Sequence, residues 1–304
     1  MKSLFFIESP LQLLNAYEAK NYFNIQKYDF YIRLSNEETN DSQILNLILI
    51  LKIEHVKIIK INALNKGFKD YIKLIFFKFF FKFFKKKVDK IFIGNYHSGF
   101  LSLILKSFSR DKIILLDDGS KSINIQSDFT DKKNYNLFTM YDLKKFKNQI
   151  IYQNEYVTLQ SRLKNLVFNQ NQVLFLGLKI SEINIVTEEY YLQQIKAIVK
   201  YYNKEIVYVA HRGELEIKLN KIRRIKNLKV IQLDYPIEFF GLYNNIIPAV
   251  VSSFYSTALL TMKNIYNIEA DSFMFDFDKS DYKVAIQKTY DYYGKYIEVK
   301  NLND

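Results

Sequence analysis

Short apolar runs recur along the chain, and most are followed by polar residues and then by a stretch with helical spacing. Residues 3–7, 28–34, 55–61, 90–94 and 112–116 read as strands. Residues 10–23 read as a helix, with Ser9 as N-cap, Pro10 at the first helical position, and Leu11, Leu14, Tyr17 and Glu18 at helical spacing. Residues 41–52, and those from Gly99 to about Phe108, read as further helices. Alternating strands and helices predict a parallel sheet. Gly94, Gly119, Gly177 and Gly213 each follow a β-prone run, which is the punctuation of a βα series. From about 132 to 171 the pattern is polar and weakly periodic and predicts the end of one domain. A second series opens at 173–177, with a helix at 187–202, strands at 206–210, 228–233, 246–251 and 272–275, and helices at 255–265 and 280–293. The expected fold is α/β: two Rossmann-like domains, 1–160 and 161–304, facing across a cleft.

Composition narrows the picture. With 304 residues, 49% of them hydrophobic, the chain can fill two modest cores. There is no cysteine, so disulfides and thiolate metal sites are excluded, and three scattered His do not suggest zinc. The opening apolar run is interrupted by Glu8 and predicts no signal peptide. No uncharged apolar run reaches the roughly 18 residues of a spanning helix. Neither GxGxxG nor a P-loop is present. Asp276 and Asp278 have the spacing of a carboxylate metal site.

The net charge is +12, and half of it lies in residues 67–90. Residues 76–84 there hold seven Phe, interrupted by Lys78 and Lys82. Basic side chains and aromatic rings together suit the surface of an anionic membrane, into which Phe inserts while Lys stays in the headgroups. A helix packed on the sheet with its lysines in water is the alternative. A nucleic-acid interface lacks a recognition motif.

Four clusters lie where parallel-sheet proteins bind ligands, beyond the carboxyl ends of strands. Asp117-Asp118-Gly119 offers a carboxylate as general base, although an Asp-Gly turn accounts for the same residues. His211, followed by Arg212 and Gly213, offers an imidazole to a leaving phosphate, or is simply a satisfied core His. Glu238 offers an acceptor to ribose hydroxyls, or is an exposed acid at a helix start. Ser252 and Ser253 precede an expected helix, where hydroxyls and free amides cap the helix or bind phosphate.

The order Asp-Asp-Gly, strand-end His, Glu, Ser-Ser resembles the bacterial sialyltransferase pattern, and the opening SPLQLLNAYEA resembles the start of glycosyltransferase family 52. VLFLGLKISE, residues 173–182, is similar to the strand that opens that family's second domain. The resemblance implies a GT-B fold and an inverting, metal-independent transfer of sialic acid from CMP-sialic acid to a galactoside of a lipooligosaccharide or capsule. It implies an acceptor-binding first domain and a CMP-sugar-binding second one. It assigns the base to Asp118, with Asp117 its rival, leaving-group assistance to His211, phosphate binding to Ser252 and Ser253, and ribose binding to Glu238. Arg212 stands where those enzymes carry Pro; it adds a phosphate contact, beside Gly213. The implied place is the cytoplasmic face of the membrane, reached through Lys66 to Lys87. Some members of the family transfer glucose, so another nucleotide-sugar transferase is the nearest alternative. A non-catalytic, membrane-bound partner of glycan assembly is the alternative from outside enzymology.

Overall fold

The computed structural model describes residues 1–61, 70, 72–73, 75–76, 79, 87–119, 121–276 and 280–302. The chain forms two compact units, Met1–Thr158 and Leu159–Asp304. The first contains β1 (Lys2–Ile7), β2 (Tyr28–Leu34), β3 (Val56–Lys60), β4 (Val88–Ile93), β5 (Ile113–Leu116), β6 (Asn136–Thr139) and β7 (Ile151–Gln153). All pairings are parallel, in the order β3-β2-β1-β4-β5-β6-β7. Its longer helices are α1 (Pro10–Tyr22), α2 (Glu38–Ile50) and α3 (Gly99–Leu105).

Strand alternation explains the packing of this sheet. Phe5 and Phe6 point to opposite faces, and both are buried. On one face Phe5 stacks on Phe30 and Phe92, its partners in the neighbouring strands, with ring centroids 4.6 and 4.5 Å apart. On the other, Phe6 stacks on Tyr31 at 5.2 Å. A sheet apolar on both sides requires helices on both sides, which is the doubly wound arrangement.

The second unit contains β8 (Val167–Leu176), β9 (Ile206–Val209), β10 (Leu228–Ile231), β11 (Ile246–Ser253), β12 (Glu269–Met274) and β13 (Glu298–Asn301). They too are all parallel, in the order β10-β9-β8-β11-β12-β13. Helices α4 (Glu188–Tyr202), α5 (Glu216–Ile222), α6 (Ala258–Tyr266) and α7 (Ser280–Tyr293) cover the sheet. Thr187 caps α4 by accepting the Tyr190 amide at 3.2 Å, and Asn203 ends it in the left-handed region at φ 47°. In both sheets the strand order reverses beside the first strand, between β1 and β4 and between β8 and β11. Ligands of such folds bind at that switch point.

The structure differs from the sequence expectation in three places. Residues 132–171 are not merely an interdomain stretch: they supply β6, β7 and the first half of β8. That half of β8 is largely exposed and polar, and is held by parallel pairing of Val167–Asn169 with Ile246–Pro248. Second, β13 has no counterpart among the expected strands. Third, Ser252 and Ser253 do not open a helix; they finish β11, because both remain paired with β12, and α6 begins only at Ala258. Most of residues 66–87 and Asp278 lie outside the described residues. Among the described residues no helix is long and apolar enough to cross a membrane.

Candidate functional site

In the first unit the Asp-Asp-Gly turn leaves β5 at the carboxyl edge of the sheet, and its two carboxylates diverge. Asp117 is buried; its Oδ1 accepts the Thr139 hydroxyl at 2.6 Å and its Oδ2 the Met140 amide at 2.8 Å. It ties the end of β5 to the end of β6. Burial pushes its pKa up to about 6 against the pull of those hydrogen bonds. Asp118 is only partly buried. Its Oδ1 accepts from Gln12 Nε2 at 2.8 Å, and Lys121 Nζ lies 3.3 Å from Oδ2. Its amide donates to Ser122 Oγ at 2.8 Å. Gly119 makes the turn possible at φ 67°, where a side chain is strained. Asp118 and Lys121 line a small cavity with Asn95, Tyr96 and His97. Beside it, Glu8 pairs with Arg33 at 2.5 Å and accepts from Ser98 Oγ at 2.8 Å, fixing the loops after β1 and β4.

In the second unit His211 follows β9 on a tight turn. Gly213 N donates to His211 Nδ1 at 3.0 Å, and His211 N donates to Glu214 at 2.6 Å. Burial, with Arg212 and Lys179 next, lowers the imidazole pKa to about 4. His211 is therefore neutral at pH 7, and with Nδ1 accepting, its proton sits on Nε2. Arg212 and Lys179 are exposed cations at the same strand ends. Gly213 lets the Lys179 stem pass, since a Cβ there would lie 2.8 Å from its Cδ.

A buried network supports this turn. Lys218, on α5, lies 2.8 Å from Glu214 and 2.9 Å from Glu182, with its ammonium 4.2 Å from the Tyr191 ring centroid. Tyr208 donates to Glu214 at 2.6 Å. Lys218 thus joins the loop after β8 to the loop after β9. One cation between two carboxylates, with a carbonyl and a hydroxyl also accepting, satisfies the charges that burial exposes to a poor dielectric.

Glu238 is buried at a short 3₁₀ turn (Ile237–Phe239). Tyr266 OH donates to its backbone carbonyl at 2.8 Å. The carboxyl accepts its own amide, and burial pushes its pKa up to about 7. It is not the exposed acid that the sequence allowed. Tyr235, three residues earlier, stacks face to face on Tyr243 at 3.8 Å.

Ser252 and Ser253 are fully buried, and Ser253 Oγ donates to Leu176 O at 2.7 Å. Both side chains face the neighbouring strand β8, with Ser252 Oγ 3.5 Å from Leu174 O, so they stitch the sheet and are not offered at a helix N-terminus. The half-buried hydroxyls at the start of α6 belong instead to Ser256, whose Oγ accepts the Ala258 amide at 3.4 Å, and Thr257. The sequence reading missed this pair, although its signal was present: a second Ser-Thr three residues further on, directly before the apolar run of α6. Asp276 N donates to Tyr190 OH at 2.9 Å, and among the described residues no three His, Asp or Glu side chains gather as a metal site.

No protein-family model matches the chain, and no curated protein matches it. Solved structures do. The UDP-GlcNAc 2-epimerase of Methanocaldococcus jannaschii, in complex with UDP-GlcNAc and UDP, is similar at TM-score 0.59 and 14% identity over 99% of this chain and 89% of its own. The Neisseria meningitidis UDP-GlcNAc 2-epimerase bound to UDP-GlcNAc aligns at TM-score 0.58 and 11% identity over 100% and 96%. Acinetobacter baumannii MurG aligns at 0.51 and 9% over 100% and 87%. The chain has the GT-B fold, two Rossmann-like units of parallel sheet.

Proposed function

We propose that the chain is an inverting glycosyltransferase that moves sialic acid from CMP-sialic acid to a galactoside hydroxyl of a cell-surface glycan, a lipooligosaccharide or capsule precursor. The observation that carries this reading is the chemistry at the carboxyl edges of the two sheets. One edge holds an accessible, oriented carboxylate, Asp118. The other holds a neutral His211 with its proton on Nε2, flanked by Arg212 and Lys179. A base for a hydroxyl and a donor set for a phosphate are what sialyl transfer needs.

In this reading the acceptor oxygen attacks the anomeric carbon and gives its proton to Asp118. The bond from that carbon to the phosphate oxygen breaks, and CMP leaves with the electron pair. His211 Nε2–H, the cations of Arg212 and Lys179, and the hydroxyls of Ser256 and Thr257 receive the growing phosphate charge. Glu238 has acceptor capacity left for the ribose hydroxyls. Charge on the leaving group is met by protein groups, so activity is expected to persist in EDTA. Loss on chelation with recovery in Mn²⁺ would reinstate Asp276 and Asp278.

The reading also places the chain at the inner face of an anionic membrane. Ile72, Ile75, Phe76 and Phe79 are helical, follow the i, i+3, i+4, i+7 spacing of one helix face, and are each more than half exposed. An apolar stripe within a Lys-rich segment suits insertion among acidic headgroups.

The test is incubation with CMP-sialic acid and a panel of galactosides, reading CMP release and sialylated product. Product with inverted anomeric configuration is expected. A preference for UDP over CMP in binding would instead favour a UDP-sugar donor such as UDP-glucose.

A further inference from the structure

The opening segment of the chain, SPLQ, has a place in the first unit that the roles above leave unused. Ser9 and Pro10 start α1, and Gln12 N donates to Ser9 Oγ at 3.4 Å. The helix then presents two buried amide side chains one turn apart to the Asp-Asp-Gly turn. Asn15 Nδ2 donates to the backbone carbonyl of Asp117 at 3.1 Å, while its Oδ1 accepts from Asn154 Nδ2 and Tyr156 OH at 3.1 and 2.9 Å. Asn15 thereby fixes the backbone of the turn.

Gln12 does something different. Its Oε1 accepts the Glu8 amide at 2.8 Å, which leaves its NH₂ to point at Asp118, and that NH₂ donates to Oδ1 at 2.8 Å. The backbone of the turn does not need this bond, since Asn15, Ser122 and the Asp117 contacts already hold it. What the bond fixes is the rotation of one carboxylate.

The chain also keeps space for Gln12. A Cβ on Gly94, just beyond β4, would lie 2.3 to 2.5 Å from the Gln12 side-chain amide and Cγ. Gly94 has no left-handed φ that would require glycine, so a side chain there would displace Gln12 rather than strain the backbone.

We propose that Gln12 is a positioning residue for the reaction: it occupies Oδ1 of Asp118 and leaves Oδ2, beside Lys121, as the oxygen that takes the acceptor's proton, with Gly94 supplying the clearance. This rests on the reading of Asp118 as base.

The experiment is a double-mutant cycle on the full chain with Gln12→Ala, Gly94→Ala and the pair, scored by kcat and by donor KM. Gln12→Ala is expected to lower kcat by about 10²-fold, the scale of an ångström's misplacement of a reacting group, with donor KM unchanged. Gly94→Ala is expected to do much the same by displacing Gln12. The double variant is expected to be no worse than either single one, because truncating Gln12 vacates the space that the methyl group added at position 94 needs. Additive losses would mean that Gly94→Ala damages the strand independently, and a wild-type kcat in folded Gln12→Ala would overturn the assignment. If the wild-type chain transfers nothing, the catalytic reading fails and the clamp is judged on the Asp118 carboxyl ¹³C resonance, assigned by its loss in Asp118→Asn. Movement of that signal in both single variants supports the clamp, and an unmoved signal overturns it.

Discussion

The Nδ1 of His211 accepts the amide of Gly213 at 3.0 Å, so the single N–H of the neutral ring points away on Nε2. With its pKa lowered to about 4 by burial and then by Arg212 and Lys179, the ring is a hydrogen-bond donor at pH 7, not a stored cation. His211→Ala is expected to reduce transfer by about 10²- to 10⁴-fold and to weaken CMP binding. A donor carrying a better leaving group is expected to restore part of the rate. Assays with both donors check this, and equal losses on the two would remove His211 from the departure step.

The divergence of Asp117 and Asp118 separates chemistry from stability. Asp118→Asn is expected to abolish transfer while leaving CMP binding intact, and the better leaving group does not rescue it. Asp117→Asn puts an amide NH₂ where Thr139 Oγ1 or Met140 N donates. It is expected to destabilise the first unit by about 1–3 kcal/mol, the range for a buried polar group left unsatisfied. Thermal unfolding and CMP titration separate the two variants. A dead, fully stable Asp117→Asn with an active Asp118→Asn would exchange the roles.

Much of this was legible in the sequence because local pattern and tertiary fold agree. The apolar runs around Phe5–Phe6 and Phe175 coincide with paired strands, and the cap formed by Ser9 and Pro10 marks the start of α1. The losses have physical causes. Strands β6 and β7 are only four and three residues long and exist through pairing with distant partners, as in Leu137 with Ile151. Glycine is scarce, and asparagine takes its place: Asn203, Asn245 and Asn267 end helices in the left-handed region, and the short helix before Asn245 has no glycine to mark its end. The Ser252-Ser253 pair could not be told from a helix cap without knowing that β12 pairs with it. Nothing local marks Lys218, which only the fold sets between Glu182 and Glu214. The amides of Gln12 and Asn15 carry no local signal either, because their partners lie at the end of a strand about a hundred residues away.

The stripe of Ile72, Ile75, Phe76 and Phe79 gives the membrane reading a direct test. Replacing Ile72, Phe76 and Phe79 with Ser is expected to abolish co-sedimentation with anionic liposomes. Gln at Lys78, Lys82, Lys85, Lys86 and Lys87 is expected to weaken it by roughly 1 kcal/mol for each charge near the surface. Neutral liposomes and high salt are expected to release the wild-type chain. Unchanged sedimentation of both variants at low salt would mean that this segment is not the docking face.

Glu238 makes a prediction about pH that needs no substrate. Burial raises its pKa from 4.5 to about 7. Below the lower value the carboxyl is protonated in both the folded and unfolded chains, and its contribution does not change. Between the two values the unfolded chain ionises while the folded chain keeps its proton, so this group's contribution to stability falls as pH rises. Above about 7 the loss levels off, at roughly 3 kcal/mol on the scale of 1.36 kcal/mol for each pH unit. Asp117, raised from 3.8 to about 6, acts in the same direction. His211, lowered from 6.5 to about 4, acts oppositely, adding stability as pH rises through that interval. The comparison that isolates Glu238 is therefore wild type against Glu238→Gln at each pH. The Gln variant is expected to gain on wild type steadily from pH 4.5 to pH 7 and to hold a constant margin above. Added CMP is expected to reverse part of that margin at pH 8, because ribose hydroxyls donating to an ionised carboxylate stabilise the form that burial disfavours. Thermal unfolding at pH 5 and pH 8, with and without CMP, reads both effects. Parallel pH curves for the two proteins would show that the carboxyl is not held as a buried acid. A shifting margin that CMP leaves untouched would keep the burial but remove Glu238 from the ribose site.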